Sequence, residues 1–375
     1  MLMASKKDPV EHIEFINLLC RLGVSYHFDK EIENNLKEIF DDLPNLLEKH
    51  DFDLYTLSLL YRYARDHIRN ALIRPFHKGV PRIEARKYIS FYEEDESRND
   101  TLLKFAKIDF NRVQLIHQQE LSILSRWWND LNFSVEFPYA RDRIVEVYFW
   151  ANGVHFEPQY AFSRMVVTKY TKIVSLLDDT CDAYASFEEI QHFTNAIERC
   201  CMDAIDQLPA EYLKVLYRAL LNLFSETESD MGKQGRSYAL YYVKEAEEYK
   251  WLKSNPNIMK AGKMICRLMN DIVSHEDEQK RGDCASGVEC FMKQYDVSEK
   301  KAIEEIQKMV ANGWKDINED CMRPTKAPML LLQHIVNLVR VTDVVYGDDD
   351  DAYTIPLSLK DYVTLLYVEQ VPMCE

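Results

Sequence analysis

Helix breakers are scarce in this chain: 375 residues include only 10 glycines and 12 prolines. With 47% hydrophobic residues, that scarcity argues against hairpin-rich or disordered architecture and predicts long helices. Basic residues are also short, 46 Lys and Arg against 62 Asp and Glu, for a formal net charge of −16. No basic field is available to neutralise phosphates along a duplex, so nucleic acid is not an expected partner. No apolar run reaches 18 residues, which removes a membrane-spanning helix from the expectations. CxxC pairs are missing too. The nine scattered cysteines fit buried or free thiols in a reducing compartment rather than a zinc site or a disulfide framework. The first residues, MLMASKKDPVEHIEF, show neither an apolar signal core nor an Arg/Ser-rich transit pattern, so the expected location is the cytosol.

Against these absences stands a concentration of aspartate. The stretch Tyr170 to Tyr184, YTKIVSLLDDTCDAY, ends an apolar run with Asp178, Asp179 and Asp182. On a helix Asp178 and Asp182 share a face and Asp179 flanks them. Like charges at that spacing destabilise a helix by a few tenths of a kcal/mol in water, and by more beside apolar neighbours. A cation would offset this, and Mg²⁺ prefers such oxygens. An acidic helix end facing solvent is the alternative that this stretch alone leaves open.

A second oxygen-rich stripe follows in RLMNDIVSHEDE, Arg267 to Glu278, where Asn270, Ser274 and Glu278 fall at i, i+4 and i+8. An amide, a hydroxyl and a carboxylate are all hard donors suited to Mg²⁺. Arg267 stands on the same line, and Lys280 and Arg281 follow. Cations beside metal-ligand oxygens suggest a bound anion, most simply a phosphate bridged by the metals.

Residues 1–97 read as short amphipathic helices, with Gly23 as a stop and Pro44 at a turn. From Thr101 the helical period is strong, and the tandem Trp127–Trp128 is expected in core or interdomain packing. Arg141 and Arg143, two apart in FPYARDRIVEVYFW, would diverge by about 200° on a helix. They are therefore expected on the loop leading in, free to converge on an anion, with ordinary solvated arginines as the alternative. Asp296-Val297-Ser298 breaks two helices, Ser298 being the expected N-cap. APMLLLQHIVNLVRVTDVVY is the most apolar helix and suits a bundle core. Asp348 to Asp351 spell a DxDD, but protonation of such an acid needs a dry site, and a Gly-flanked acidic loop is the opposite.

DDTCD followed by NDIVSHEDE resembles the aspartate-rich and (N/D)DxxSxxxE motifs of plant class I terpene synthases. SRWWNDLNF, YARDRIVEVYFWANGVHFEPQY and IEARKYISFYEEDES extend the likeness over nearly the whole chain. The resemblance implies an all-α fold, a class I terpenoid synthase helical bundle at 98–375 preceded by a shortened N-terminal helical domain at 1–97. It implies Asp178 and Asp182 as metal ligands with Asp179 in support, and Asn270, Ser274 and Glu278 as ligands on the facing helix. It further implies diphosphate capture by Arg141 and Arg143 with Arg267, pocket aromatics Trp150 and Tyr346, and a lid bearing Asp351 and Tyr353. A π face such as that of Trp150 attracts a carbocation by about 0.5–2 kcal/mol. Three Mg²⁺ ions, with Mn²⁺ as a substitute, and farnesyl diphosphate rather than geranyl diphosphate are the implied ligands, in a monomer or weak dimer.

The chain departs from the family pattern in four places. The tandem-arginine and tryptophan segment before RLGVSYHF is absent, and LLYRYARDHIRNAL joins helices that the family keeps apart. Between Ala246 and Glu247 about fifty residues, three helices at usual lengths, are missing. Cys181 replaces the usual aromatic within the aspartate motif, which predicts looser packing and an altered product or a lower rate. Three readings follow: a working sesquiterpene cyclase, a catalytically impaired relative that still binds Mg²⁺ and diphosphate, and a non-enzymatic helical protein.

Overall fold

The computed structural model describes residues 9–41, 78–235, 246–281, 285–322, 325–347 and 351–373. Among them every regular element is helical, and no helix is long and apolar enough to cross a membrane. Pro44, the LLYRYARDHIRNAL junction and Asp348 to Asp350 of the DxDD lie outside the described residues.

Contacts separate one unit within Met1–His117 and Asp361–Glu375 from another within Gln118–Lys360. The first contains α1 (Pro9–Arg21), α2 (Asp29–Asp41), α3 (Pro81–Glu93) and the beginning of α4 (Asp100–Asp130). As expected, α1 stops at Gly23, whose φ of +73° is open to glycine without strain. A Cβ there would also meet Ala85 Cβ at 2.7 Å, so the glycine lets α1 approach α3 closely. Leu19, Leu22, Ile83, Ile89 and Phe110 fill the core. Arg82, almost fully buried, lies 3.6 Å from the Phe110 ring centroid and donates to the Phe110 carbonyl at 2.7 Å. The expected division at 97/98 falls at the α3–α4 turn, whereas the contacts divide α4 itself and return the chain's end to the first unit. Side-chain amides do this: Asn111 exchanges bonds of 2.9 and 2.8 Å with the Val371 main chain, and Gln114 donates to the Glu369 carbonyl at 3.0 Å.

The second unit holds the rest of α4, then α5 (Ile144–Val154), α6 (Ala161–Ala183), α7 (Phe187–Arg199) and α8 (Glu211–Lys233). After these come α9 (Glu247–Lys253), α10 (Asn257–Arg281), α11 (Gly287–Tyr295), α12 (Glu299–Asp320) and α13 (Met329–Val345). The last helix, α14 (Lys360–Tyr367), belongs from Asp361 onward to the first unit. The apolar face of α10, through Ile258, Ile265 and Met269, packs on Val310, Trp314 and Ile317 of α12 and on Leu332 and Val339 of α13. Ser298 caps α12 as expected, accepting from the Lys301 amide, and Asp296 ends α11 in the left-handed region. A capping box at Ser186 and Glu189 starts α7.

Two contacts fix α5. Gly153 faces α13 so closely that a Cβ would lie 2.2 Å from Val341 Cγ2. Gly153→Ala is therefore expected to cost about 1–3 kcal/mol by overpacking, read as a lower urea midpoint. An unchanged midpoint would mean that the α5–α13 approach is looser than described. On another face of α5, Tyr148 donates to Glu120 Oε2 at 2.8 Å, and Glu120 also accepts from Arg164 Nε and Nη2 at 2.8 and 2.6 Å. All three side chains are buried.

Candidate active site

Burial of one face decides which residues α6 leaves for chemistry. Ile173 and Leu176 pack inward, and Thr180, also buried, turns its hydroxyl onto the Leu176 carbonyl at 2.7 Å. Asp178 and Asp182 are left toward an opening. On α10, Ile265, Met269 and the carboxylate of Asp271 are buried, and Asn270, Ser274 and Glu278 take the adjoining stripe. Both stripes line one cavity of about 1100 Å³. Trp150 and Tyr346 line it as well, their rings 6.0 Å apart and inclined at 56°. Asp179, Arg141, Arg267, Asp351 and Tyr353 complete the sequence-predicted residues that reach it.

The donor chemistry fits a hard cation. Asn270 Nδ2 donates to Ser274 Oγ at 3.2 Å, and Ser274 donates to the Asn270 carbonyl at 2.8 Å. With its nitrogen used in this way, the Asn270 amide presents its oxygen as the donor for an ion. Among the described residues no three His, Cys, Asp or Glu side chains converge tightly enough to hold a metal by themselves. The oxygens face a common space from two helices rather than forming a closed cage, which suits Mg²⁺ shared with water and phosphate oxygens.

Asp179 is placed differently from its two neighbours. It is buried, and both its oxygens are engaged by Arg141: the main-chain amide at 2.9 Å, Nε at 2.7 Å and Nη2 at 2.6 Å. The same Nη2 lies 3.6 Å from Asp178. Burial opposes the charged guanidinium, but the bonds to Asp179 outweigh it and leave the Arg141 pKa raised. Asp179 thus orients the arginine.

Arg143 does not line the cavity. As expected, the Arg141–Arg143 segment is a loop, with α5 starting at Ile144. Yet Arg143 turns onto a main-chain segment after α13, donating to the Tyr353 and Thr354 carbonyls at 3.2 and 3.0 Å. Arg141 Nη1 donates to Thr354 Oγ1 at 3.1 Å, and Tyr353 Oη meets Ser175 Oγ at 2.6 Å. Asp351 Oδ1 accepts from the amides of Tyr353 and Thr354, both at 3.0 Å, which folds the segment into a turn. Burial pushes the Tyr353 and Tyr346 phenols up, so both stay neutral hydroxyls.

Arg267 stands at the rim, its side chain 68% exposed, with Nε 3.0 Å from Asp271 Oδ1. Lys280 pairs with Asp277 at 2.9 Å and does not line the cavity. The Arg281 side chain lies outside the described residues. Cys181 does line the cavity, beside a stack of Tyr139 on Tyr184 with centroids 4.6 Å apart.

Sequence reasoning missed Thr354, Ser175, Glu299 and Gln307, which lie in the lining, and Lys172. Lys172 is fully buried, donates to the Arg141 carbonyl and lies 4.3 Å from the Trp128 ring centroid. Burial lowers its pKa to about 8. A lysine inside the apolar run before the aspartates was the available signal.

Residues 129–248 and 240–316 match the terpene synthase family metal-binding domain, and residues 1–76 match the terpene synthase N-terminal domain. Probable terpene synthase 6 of Ricinus communis is 44% identical over 510 aligned positions, spanning all of this chain and 91% of that protein. A (-)-germacrene D synthase of Vitis vinifera is 37% identical over all of this chain and 89% of its own length. In fold, the chain is similar to isoprene synthase from grey poplar, solved with three Mg²⁺ ions and dimethylallyl-S-thiolodiphosphate. That likeness has a TM-score of 0.78 at 23% identity and covers 99% of this chain and 94% of the other. Alignments longer than the 375-residue chain, and a metal-binding match in two segments that meet at 240–248, place shortening inside the chain. On these matches, and with the all-helical class I terpenoid fold around the cavity, the chain belongs to the terpene synthase family.

Proposed function

We propose that this protein ionises farnesyl diphosphate and cyclises the resulting cation to a sesquiterpene in the cytosol. One observation carries the reading: two oxygen-donor stripes, from α6 and α10, open on the same cavity as the aromatic pair Trp150 and Tyr346. Asp178 and Asp182 on one side, and Asn270, Ser274 and Glu278 on the other, would hold Mg²⁺, three ions in our reading, with Mn²⁺ as a substitute. When bound, the metal supplies Lewis-acid stabilisation of the departing diphosphate. Arg141, oriented by Asp179, and Arg267 at the rim add positive charge for the same anion. Arg143 anchors the main chain of Tyr353 and Thr354, and in our reading this segment is the lid that would exclude water able to quench the cation to an alcohol. Trp150 offers the cation a π face without a lone pair to trap it.

The second reading keeps the site and removes turnover: Mg²⁺ and diphosphate bind, and no hydrocarbon forms. It is favoured by the internal shortening, since helices absent from a bundle leave its cavity less enclosed. Purified protein incubated with farnesyl or geranyl diphosphate and Mg²⁺ separates the two. Volatile hydrocarbon and released diphosphate above a boiled control are expected with the farnesyl substrate. Saturable diphosphate binding without either product would establish the second reading, and no binding at all would remove both.

A further inference from the structure

We propose that Lys172 and Trp128 form a clamp that sets the backbone of the Arg141–Arg143 loop, making them positioning residues for the two arginines. The inference rests on the diphosphate-binding reading of that loop and adds to it the parts that hold the loop in place.

The loop has no helical hydrogen bonds of its own at Arg141, so its polar groups need partners from elsewhere. It is secured at three points. The Arg141 amide donates to Asp179 Oδ2 at 2.9 Å, and the Arg141 carbonyl accepts from Lys172 Nζ. The Asp142 carboxylate accepts from Trp128 Nε1 at 2.9 Å. Trp128 also joins two of these points, because its ring face lies 4.3 Å from the Lys172 ammonium. The tandem Trp therefore does more than fill the core.

The surroundings of Lys172 explain why a charge is kept there. The residue is fully buried; the carboxylates of Asp142, Asp179 and Glu146 favour its charge from around it, and its hydrogen bond goes to the Arg141 carbonyl. A buried ammonium is costly, and an apolar side chain of similar length would fill the space at lower cost. What methylenes cannot do is hold a carbonyl. Fixing that carbonyl fixes ψ at Arg141, and so the direction in which the loop carries its guanidiniums. Lys169, one turn earlier, supplies the contrast: it lies 5.3 Å from the Trp127 ring and pairs with Glu226, touching no part of the loop.

The test uses the full chain with Lys172→Met, Lys172→Arg, Lys169→Met and Trp128→Phe. Two quantities are measured: hydrogen exchange by peptide, and calorimetric binding of inorganic diphosphate with Mg²⁺. In Lys172→Met, exchange should quicken locally over 138–145, and diphosphate should bind about tenfold more weakly, the loss of one charge-assisted hydrogen bond. Lys172→Arg should recover both, and Lys169→Met should match the parent. Trp128→Phe, which keeps the ring face and loses the N–H, should repeat the local rise. Exchange that is unchanged over 138–145, or raised evenly across 118–360, would overturn the clamp, as would a local rise with full diphosphate affinity. If the parent chain binds no diphosphate, the diphosphate reading falls, and the exchange pattern still decides whether Lys172 holds the loop.

Discussion

Replacing Asp178 and Glu278 together by alanine is expected to abolish Mg²⁺-dependent diphosphate binding while leaving the fold intact. The two carboxylates line one cavity, on the stripes of α6 and α10. Each supplies one charged contact to a shared ion and its phosphate. At about 2 kcal/mol for each such contact, the double variant should bind roughly 10³-fold more weakly. Stability should not suffer, because the Asp178 side chain is 64% exposed and its removal relieves a like-charge neighbour on α6. Calorimetry with inorganic diphosphate, with and without Mg²⁺, measures the first effect, and a thermal melt checks the second. Unchanged affinity in the double variant would show that the stripes are not where metal and diphosphate meet. Asp179→Ala is a different perturbation, since that carboxylate is bound on both oxygens by Arg141. Its effect should reach the anion through the arginine.

The largest loss of stability is expected from Glu120→Ala. Glu120 accepts two bonds from Arg164 and one from Tyr148, and the Arg164 side chain is fully buried. Removing the carboxylate leaves a guanidinium in the interior whose remaining partners are the carbonyls of His155 and Glu157, at 3.2 and 2.7 Å. Breaking a buried pair from one side costs about 3–5 kcal/mol. Urea denaturation should report this as a lower midpoint at unchanged slope. Replacing both partners, Glu120→Met with Arg164→Met, should cost less than Glu120→Ala, because no uncompensated charge is left. If the double variant is the less stable of the two, the network contributes net attraction that outweighs its desolvation.

Helix ends were legible because they depend on short-range chemistry. Gly23 ends α1, Ser298 caps α12, and the two-residue spacing of Arg141 and Arg143 put them on a loop, all as the sequence predicted. The donor sets of the two stripes were legible for a similar reason, since a period of 3.6 residues fixes which side chains share a face. The division within α4 was not, because it depends on amide bonds between residues some 260 positions apart.

Within the site the same boundary holds. The sequence by itself determined that Asp178 and Asp182 share one helical face, and Asn270, Ser274 and Glu278 another, with oxygens suited to Mg²⁺. Only tertiary packing turned those faces, 88 positions apart between Asp182 and Asn270, onto one cavity. It also gave Asp179 to Arg141, turned Arg143 onto the Thr354 main chain, and set Lys172 and Trp128 against the loop. Periodicity is a property of one helix and can be read along the chain. A hydrogen-bond partner on another helix is chosen by how the buried faces of α6, α10 and α13 pack, and no local pattern encodes that choice.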